Sequence, residues 1–205
     1  MKVLVVDAHP DDGEISCAGT ISRMRREGHE VYTMYFCPCS EDPKNEGHLK
    51  DHNRVCRFLD IKQYVCGEMP RDGYVETHKQ QVRDILYQIR ERLKPDIILC
   101  PSIHEFHQDH KALAECCLTI FRDTSIILGY EILRSVSPDF TPNFYVTLST
   151  GDRNKKLKSI SMYKSQLNAR PYFFSIDRFD SQLRMRGTQA MSDFAEAYEM
   201  MWGRV

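Results

Sequence analysis

Residues 3–14 read Val3-Leu4-Val5-Val6-Asp7-Ala8-His9-Pro10-Asp11-Asp12-Gly13-Glu14. The unbroken apolar run Val3–Val6 predicts a short strand covered on both faces. Pro10 and Gly13 then turn the chain. Ile15, Ala18, Ile21 and Met24 recur at near-helical spacing until Gly28, a helix stop. Val31 to Phe36 reads as the next strand.

The same alternation continues along the chain. Residues 40–53 are polar and run into a helix carrying Val55, Phe58 and Leu59. Tyr64 to Cys66 reads as a brief strand, and Thr77-x-x-Gln80 resembles a capping box. Val82, Ile85, Leu86, Ile89 and Leu93 form a helical stripe that Pro95 ends. Ile97-Ile98-Leu99-Cys100 is a second buried strand. A helix with Leu113, Cys116, Cys117, Ile120 and Phe121 follows. Tyr130–Val136 and Phe144–Leu148 read as strands. Leu157, Ile160 and Tyr163 suggest a helix, as do Met191, Phe194, Tyr198 and Met201. The expectation is an α/β fold, a Rossmann-like three-layer sandwich around a mostly parallel sheet, with residues 1–205 as one domain.

Composition narrows the function classes. The 205 residues carry 28 Lys and Arg against 29 Asp and Glu, a formal net charge of -1. No strong field recruits nucleic acid or a membrane. The apolar start is too short for a signal peptide, and no stretch is as long as a membrane span, so a cytoplasmic protein is expected. In that reducing compartment the eight cysteines read as free thiols. Cys37-Pro-Cys39 lacks the second pair that a zinc site of cysteines would need.

Ligands in such sheets bind beyond the carboxyl ends of the strands. Ala8–Glu14 and Pro101–His110 both begin where a predicted strand ends, so they can converge. Together they supply imidazoles and carboxylates, which bind zinc. Singly, each group has an ordinary use: His9 as a polar loop residue or a cap, Asp11 or Asp12 as an N-cap, Asp109 as a cap for the helix near His110. Two strand-end loops dense in His and Asp nevertheless point to one shared site.

Ala8-His9-Pro10-Asp11-Asp12-Gly13-Glu14 matches the Ala-His-Pro-Asp-Asp-x-Glu signature of the PIG-L/LmbE-like deacetylases, and His107-Gln108-Asp109-His110 resembles their His-Pro-Asp-His motif. Pro70-Arg71-Asp72-Gly73 is similar to their Asp-Gly segment near the sugar. Tyr163-Lys164-Ser165-Gln166 and Arg170-Pro171-Tyr172-Phe173 resemble the tail of bacterial sugar-deacetylase members. The resemblance implies a zinc-dependent hydrolase of an N-acylated, in the first place N-acetylated, amino sugar or sugar conjugate. It implies His9, Asp12 and His110 as metal ligands and Asp11 as general base. His107 would stabilise the oxyanion, with Asp109 as its charge partner. Arg71, Asp72 and Tyr163 are the implied substrate contacts. Glu14 is expected to support the ligands or the helix start. The implied partner is a small-molecule sugar; a homo-oligomer is compatible with the sequence.

The chain departs from the family pattern at two places. His48 and Asp51 stand where an Arg-x-x-Glu pair is common, which bears on substrate identity; Lys50, His52 and Arg54 are candidates to replace the arginine. Glu105 stands where some members have a tyrosine, and Tyr163 is a candidate substitute. His29, His48, His52, His78 and His104 otherwise read as ordinary histidines, and Trp202 as core or oligomer contact. Two alternatives remain. Two histidines and a carboxylate also hold Fe2+ in oxygenases, and another small N-acylated metabolite could be the substrate. A dinucleotide-binding module is disfavoured, since no Gly-x-Gly-x-x-Gly follows the first strand.

Overall fold

The computed structural model describes residues 1–38, 42–64 and 74–203. The elements are β1 (Lys2–Asp7), α1 (Asp12–Arg26), β2 (Glu30–Tyr35), α2 (His48–Leu59), β3 (Lys62–Gln63), α3 (Tyr74–Thr77), α4 (Lys79–Leu93) and β4 (Ile97–Pro101). They continue with α5 (Gln108–Phe121), β5 (Ile126–Tyr130), β6 (Phe144–Thr147), α6 (Thr150–Met162), α7 (Lys164–Ala169), α8 (Ile176–Gln189) and β7 (Ala195–Trp202). The sheet order is β3-β2-β1-β4-β5-β7-β6. Every pair from β3 to β5 is parallel, and β7 runs antiparallel to both β5 and β6.

β1 shows why the molecule has three layers. Successive side chains of a strand point to opposite faces. Val3 and Val5 join Ile15, Ala18 and Ile21 of α1, Val55 and Leu59 of α2 and Ile160 of α6 in one core. Leu4 and Val6 join Val82, Leu86 and Ile89 of α4 and Leu113 and Cys117 of α5 in the other. Helices therefore cover both faces, which is why β1 reads as a continuous apolar run. α1 approaches β1 closely at Gly13, where a Cβ would lie 2.5 Å from Val5 Cγ1 and 2.7 Å from the Asp7 carboxylate oxygens.

Strand order runs one way from β1 through β2 and the other way from β4 through β5. The crevice between β1 and β4 is thus the switch point at which open α/β sheets bind ligands. The two chemically dense loops leave these adjacent strands.

Four local expectations are corrected. Residues 191–201 do not form a helix: residues 195–202 are β7, and Met191 is almost fully exposed. β7 lies inside the sheet, and Ala195 to Glu199 are all buried, so the alternation that marks a half-buried strand is missing. The strand expected over Tyr130–Val136 is β5, which ends at Tyr130; beyond it only Val136 pairs, in a bridge to Glu105. Thr77 closes α3 instead of capping α4, whose N-cap is His78 without a side-chain cap bond. The brief strand sits at Lys62–Gln63, before Tyr64, and residues 65–66 lie outside the described residues. Cys17, Cys56, Cys100, Cys116 and Cys117 are free thiols; Cys39 and Cys66 lie outside the described residues.

Candidate metal centre and active site

The turn after β1 builds its own ligand. The backbone N–H groups of Asp11 and Asp12 donate to the His9 carbonyl at 2.9 and 3.3 Å. The His9 N–H donates to Asp12 Oδ2 at 2.9 Å, fixing that carboxylate beside the His9 ring. α1 begins at Asp12. Asp11 holds the N-cap position, but its side chain makes no cap hydrogen bond and turns instead to the cleft, with Oδ2 3.3 Å from His48 Nε2.

The loop after β4 brings the third donor. His110, in the first turn of α5, places Nε2 3.2 Å from His9 Nδ1 and 3.2 Å from Asp12 Oδ2. His9 Nδ1 is also 3.2 Å from Asp12 Oδ2. Ligands about 2.0–2.1 Å from one tetrahedral cation stand about 3.3–3.4 Å from each other. Two imidazoles and a carboxylate at this mutual spacing therefore fit a zinc-type divalent ion. Burial opposes charge on Asp12, yet the flanking His110 and His9 hold its carboxyl well below the ordinary range. Burial likewise lowers the His110 imidazole, but Asp12 and Glu105 outweigh it and lift it to about 9.

Glu105 is the partner behind His110. Its Oε2 lies 3.1 Å from His110 Nδ1 and accepts from Ser135 Oγ at 2.5 Å, and its Oε1 accepts from the Ile132 N–H at 3.3 Å. With a buried carboxylate on Nδ1, Nε2 faces Asp12 and His9, the arrangement common among metal-binding histidines. Glu105, which stands where some members of the resembled family have a tyrosine, thus packs its carboxylate against His110.

His107 stacks on His110, with ring centroids 4.4 Å apart, and stands 5.0 Å from the His9 ring. Ring nitrogens of His9, His107 and His110 all lie within 4.8 Å of one another. His107, not Asp109, caps α5: its Nδ1 accepts from the Asp109 N–H at 3.3 Å. The Asp109 carboxylate accepts from the Glu76 N–H at 3.1 Å, and its Oδ2 lies 3.9 Å from His9 Nε2.

The substrate contacts expected from the tail and the Asp-Gly segment fare differently. Arg71 and Asp72 lie outside the described residues. Tyr163 is fully buried behind the cleft, its hydroxyl 3.0 Å from both the Pro10 carbonyl and Glu14 Oε2. Its hydroxyl is thus taken up by the turn after β1 and the first turn of α1. Glu14 also meets His52 Nδ1 at 3.5 Å and accepts from Cys56 Sγ at 3.8 Å, so Tyr163, His52 and Cys56 surround this buried carboxylate.

His48 is the site residue that the sequence reading passed over. It is 4% exposed, lines the cleft and faces Asp11. The contact is an ion pair off the hydrogen-bond axis, and neither ring nitrogen has an aligned hydrogen-bond partner. Burial lowers its imidazole, but Asp11 and Asp12 raise it overall. The only signal in the sequence was its position, where the family commonly has an arginine. Asp51, its companion at that place, instead accepts from the backbone and hydroxyl of Ser165, both at 2.9 Å.

The chain is similar to several known proteins. A family model, PIG-L: GlcNAc-PI de-N-acetylase, matches residues 4–121, which include both loops. An uncharacterised deacetylase of Escherichia coli (strain K12) is 23% identical over 172 residues, 80% of this chain and 90% of that protein. The diacetylchitobiose deacetylase of Thermococcus kodakarensis is 25% identical over 190 residues, 80% of this chain and 70% of that one. The solved N,N'-diacetylchitobiose deacetylase of Pyrococcus horikoshii shares the fold. It has a TM-score of 0.78 at 21% identity, over 98% of this chain and 83% of that one.

Proposed function

We propose a function from one premise: the chain belongs to the PIG-L (GlcNAc-PI de-N-acetylase) family. It is a metal-dependent hydrolase that removes an N-acyl group, N-acetyl in the first place, from an amino sugar or a sugar conjugate. The observation that carries this reading is the 3.2 Å triangle of His9, Asp12 and His110 with Asp11 beside it.

His9, Asp12 and His110 would hold Zn2+, with Fe2+ as the alternative occupant of the same donors. Such a cation polarises a carbonyl and lowers the pKa of water to about 7. Asp11 takes the proton of the attacking water and returns it to the departing amine, acting as base and then acid. His48 orients Asp11 for both transfers. His107 Nδ1 accepts a backbone N–H, so its Nε2 is the nitrogen that would donate to the oxyanion of the tetrahedral intermediate. Asp109 orients His107 through that N–H, and its carboxylate lies 3.9 Å from His9 Nε2.

The substrate is taken to be a small molecule in the cytoplasm. No helix among the described residues is long and apolar enough to cross a membrane. Acetate release from a panel of N-acetylated sugars by zinc-loaded protein tests the reading. Release that disappears in Asp11→Asn is expected. No release from any N-acylated sugar, with the metal bound, would overturn it.

A further inference from the structure

The scissile amide does not account for the whole cleft, which encloses about 720 Å3. Beyond the metal centre its walls carry Arg134, on the loop after β5, and Arg170, just after α7. Neither has a carboxylate within 4.0 Å among the described residues. Two other half-buried arginines do: Arg153 closes on Asp180 and Arg186 on Glu131, each at 2.5 Å.

Arg170 is the more telling of the two. It is half-buried, and its guanidinium donates to the side-chain oxygens of Gln166 and of Asn45, the latter at 3.1 Å. Those acceptors are neutral amides. They orient the fork and leave its charge without a counter-ion, which is costly for a partly desolvated guanidinium. A planar fork held this way matches the paired oxygens of a carboxylate or phosphate. The buried His48 ring lines the same wall. Asp42 lines the cleft too, so the wall is not uniformly basic.

We propose, resting on the deacetylase reading, that the substrate carries an anionic substituent, a phosphate or a carboxylate, and that Arg170 together with Arg134 binds it. The sequence departure at His48 then has a counterpart: the basic group for the substrate's polar head comes from Arg170, on a different element from α2.

The test compares kcat/KM for acetate release by the metal-loaded protein on N-acetylglucosamine, its 1-phosphate, its 6-phosphate and N-acetylmuramate. Wild type, Arg170→Ala, Arg170→Lys and Arg134→Ala are assayed, with folding checked by circular dichroism. At least one anionic sugar should exceed the neutral one roughly 10- to 100-fold, the worth of a charge-assisted hydrogen bond. Arg170→Ala should collapse that ratio, and Arg170→Lys should restore part of it. Whether a phosphorylated sugar or the carboxylate wins identifies the group. Equal rates on neutral and anionic sugars, or a preference that survives both arginine substitutions, overturns the proposal and leaves the deacetylase reading standing. If no sugar releases acetate, that reading fails instead. The anion site is then judged by calorimetric binding of the same sugars: Arg170-dependent binding of an anionic one upholds it, and its absence overturns it.

Discussion

The Asp11 carboxylate lies 3.3 Å from Nε2 of His48, joining the turn after β1 to the first residue of α2. A general base must meet both the water and the leaving nitrogen, so a partner that fixes its rotamer acts directly on turnover. His48→Ala should lower kcat about 10- to 100-fold, the usual cost of losing a supporting side chain at such a site. Metal content should stay at the wild-type level. Steady-state kinetics beside metal analysis on one preparation check this. Unchanged kcat would remove His48 from the machinery.

His107→Ala deletes one oxyanion donor while leaving the triangle of ligands in place. A loss of roughly 100- to 1000-fold in kcat is expected. His9→Ala should be more damaging, because it also removes a ligand. Full turnover in His107→Ala with metal retained would contradict the donor role.

Tyr163→Phe tests whether the buried network behind the cleft stabilises the ligand loop. The hydroxyl is within donating distance of both Glu14 Oε2 and the Pro10 carbonyl. Losing a hydrogen bond to a buried carboxylate should destabilise the protein by about 1–3 kcal/mol. Denaturant unfolding measures it; an unchanged midpoint would mean that the remaining donors suffice.

The start of α6 carries a pH dependence. Asp152 and Ser149 form a capping box, and Asp152 also accepts from Ser22 Oγ at 2.8 Å and Arg26 at 3.0 Å. Burial opposes its charge, but Arg26, Ser149 and Ser22 prevail and hold the carboxyl below its ordinary 3.8. A lowered native pKa means that the contribution is complete above the ordinary value and is lost as pH falls through the native one. Asp152→Asn should therefore lower Tm at neutral pH, and the gap to wild type should narrow on acidification below about 4. A gap independent of pH would rule out the charge as its source.

Much of this was legible in the residues. Val3–Val6 and Ile97–Cys100 each form a buried run that ends in a loop dense in His and Asp, and those runs are the adjacent strands β1 and β4. Their adjacency follows from sheet topology, and the site follows from their adjacency. β7 was hidden because an interior strand with Glu196 buried beside Lys156 and the N–H groups of α1 has no alternating pattern. His48 was hidden because its task depends on Asp11, a residue of another element, and a lone histidine in a polar stretch has no periodicity to mark it. Glu105 was visible only as a missing tyrosine, since its contact with His110 depends on how the loop folds back.

The central claim is that His9, Asp12 and His110 share one divalent cation. Metal analysis by plasma mass spectrometry of wild type, His9→Ala, Asp12→Ala and His110→Ala, purified alike and confirmed as folded, tests it directly. About one zinc or iron per wild-type chain and a near-complete loss in all three variants are expected. Retention of stoichiometric metal by any folded variant would contradict the claim.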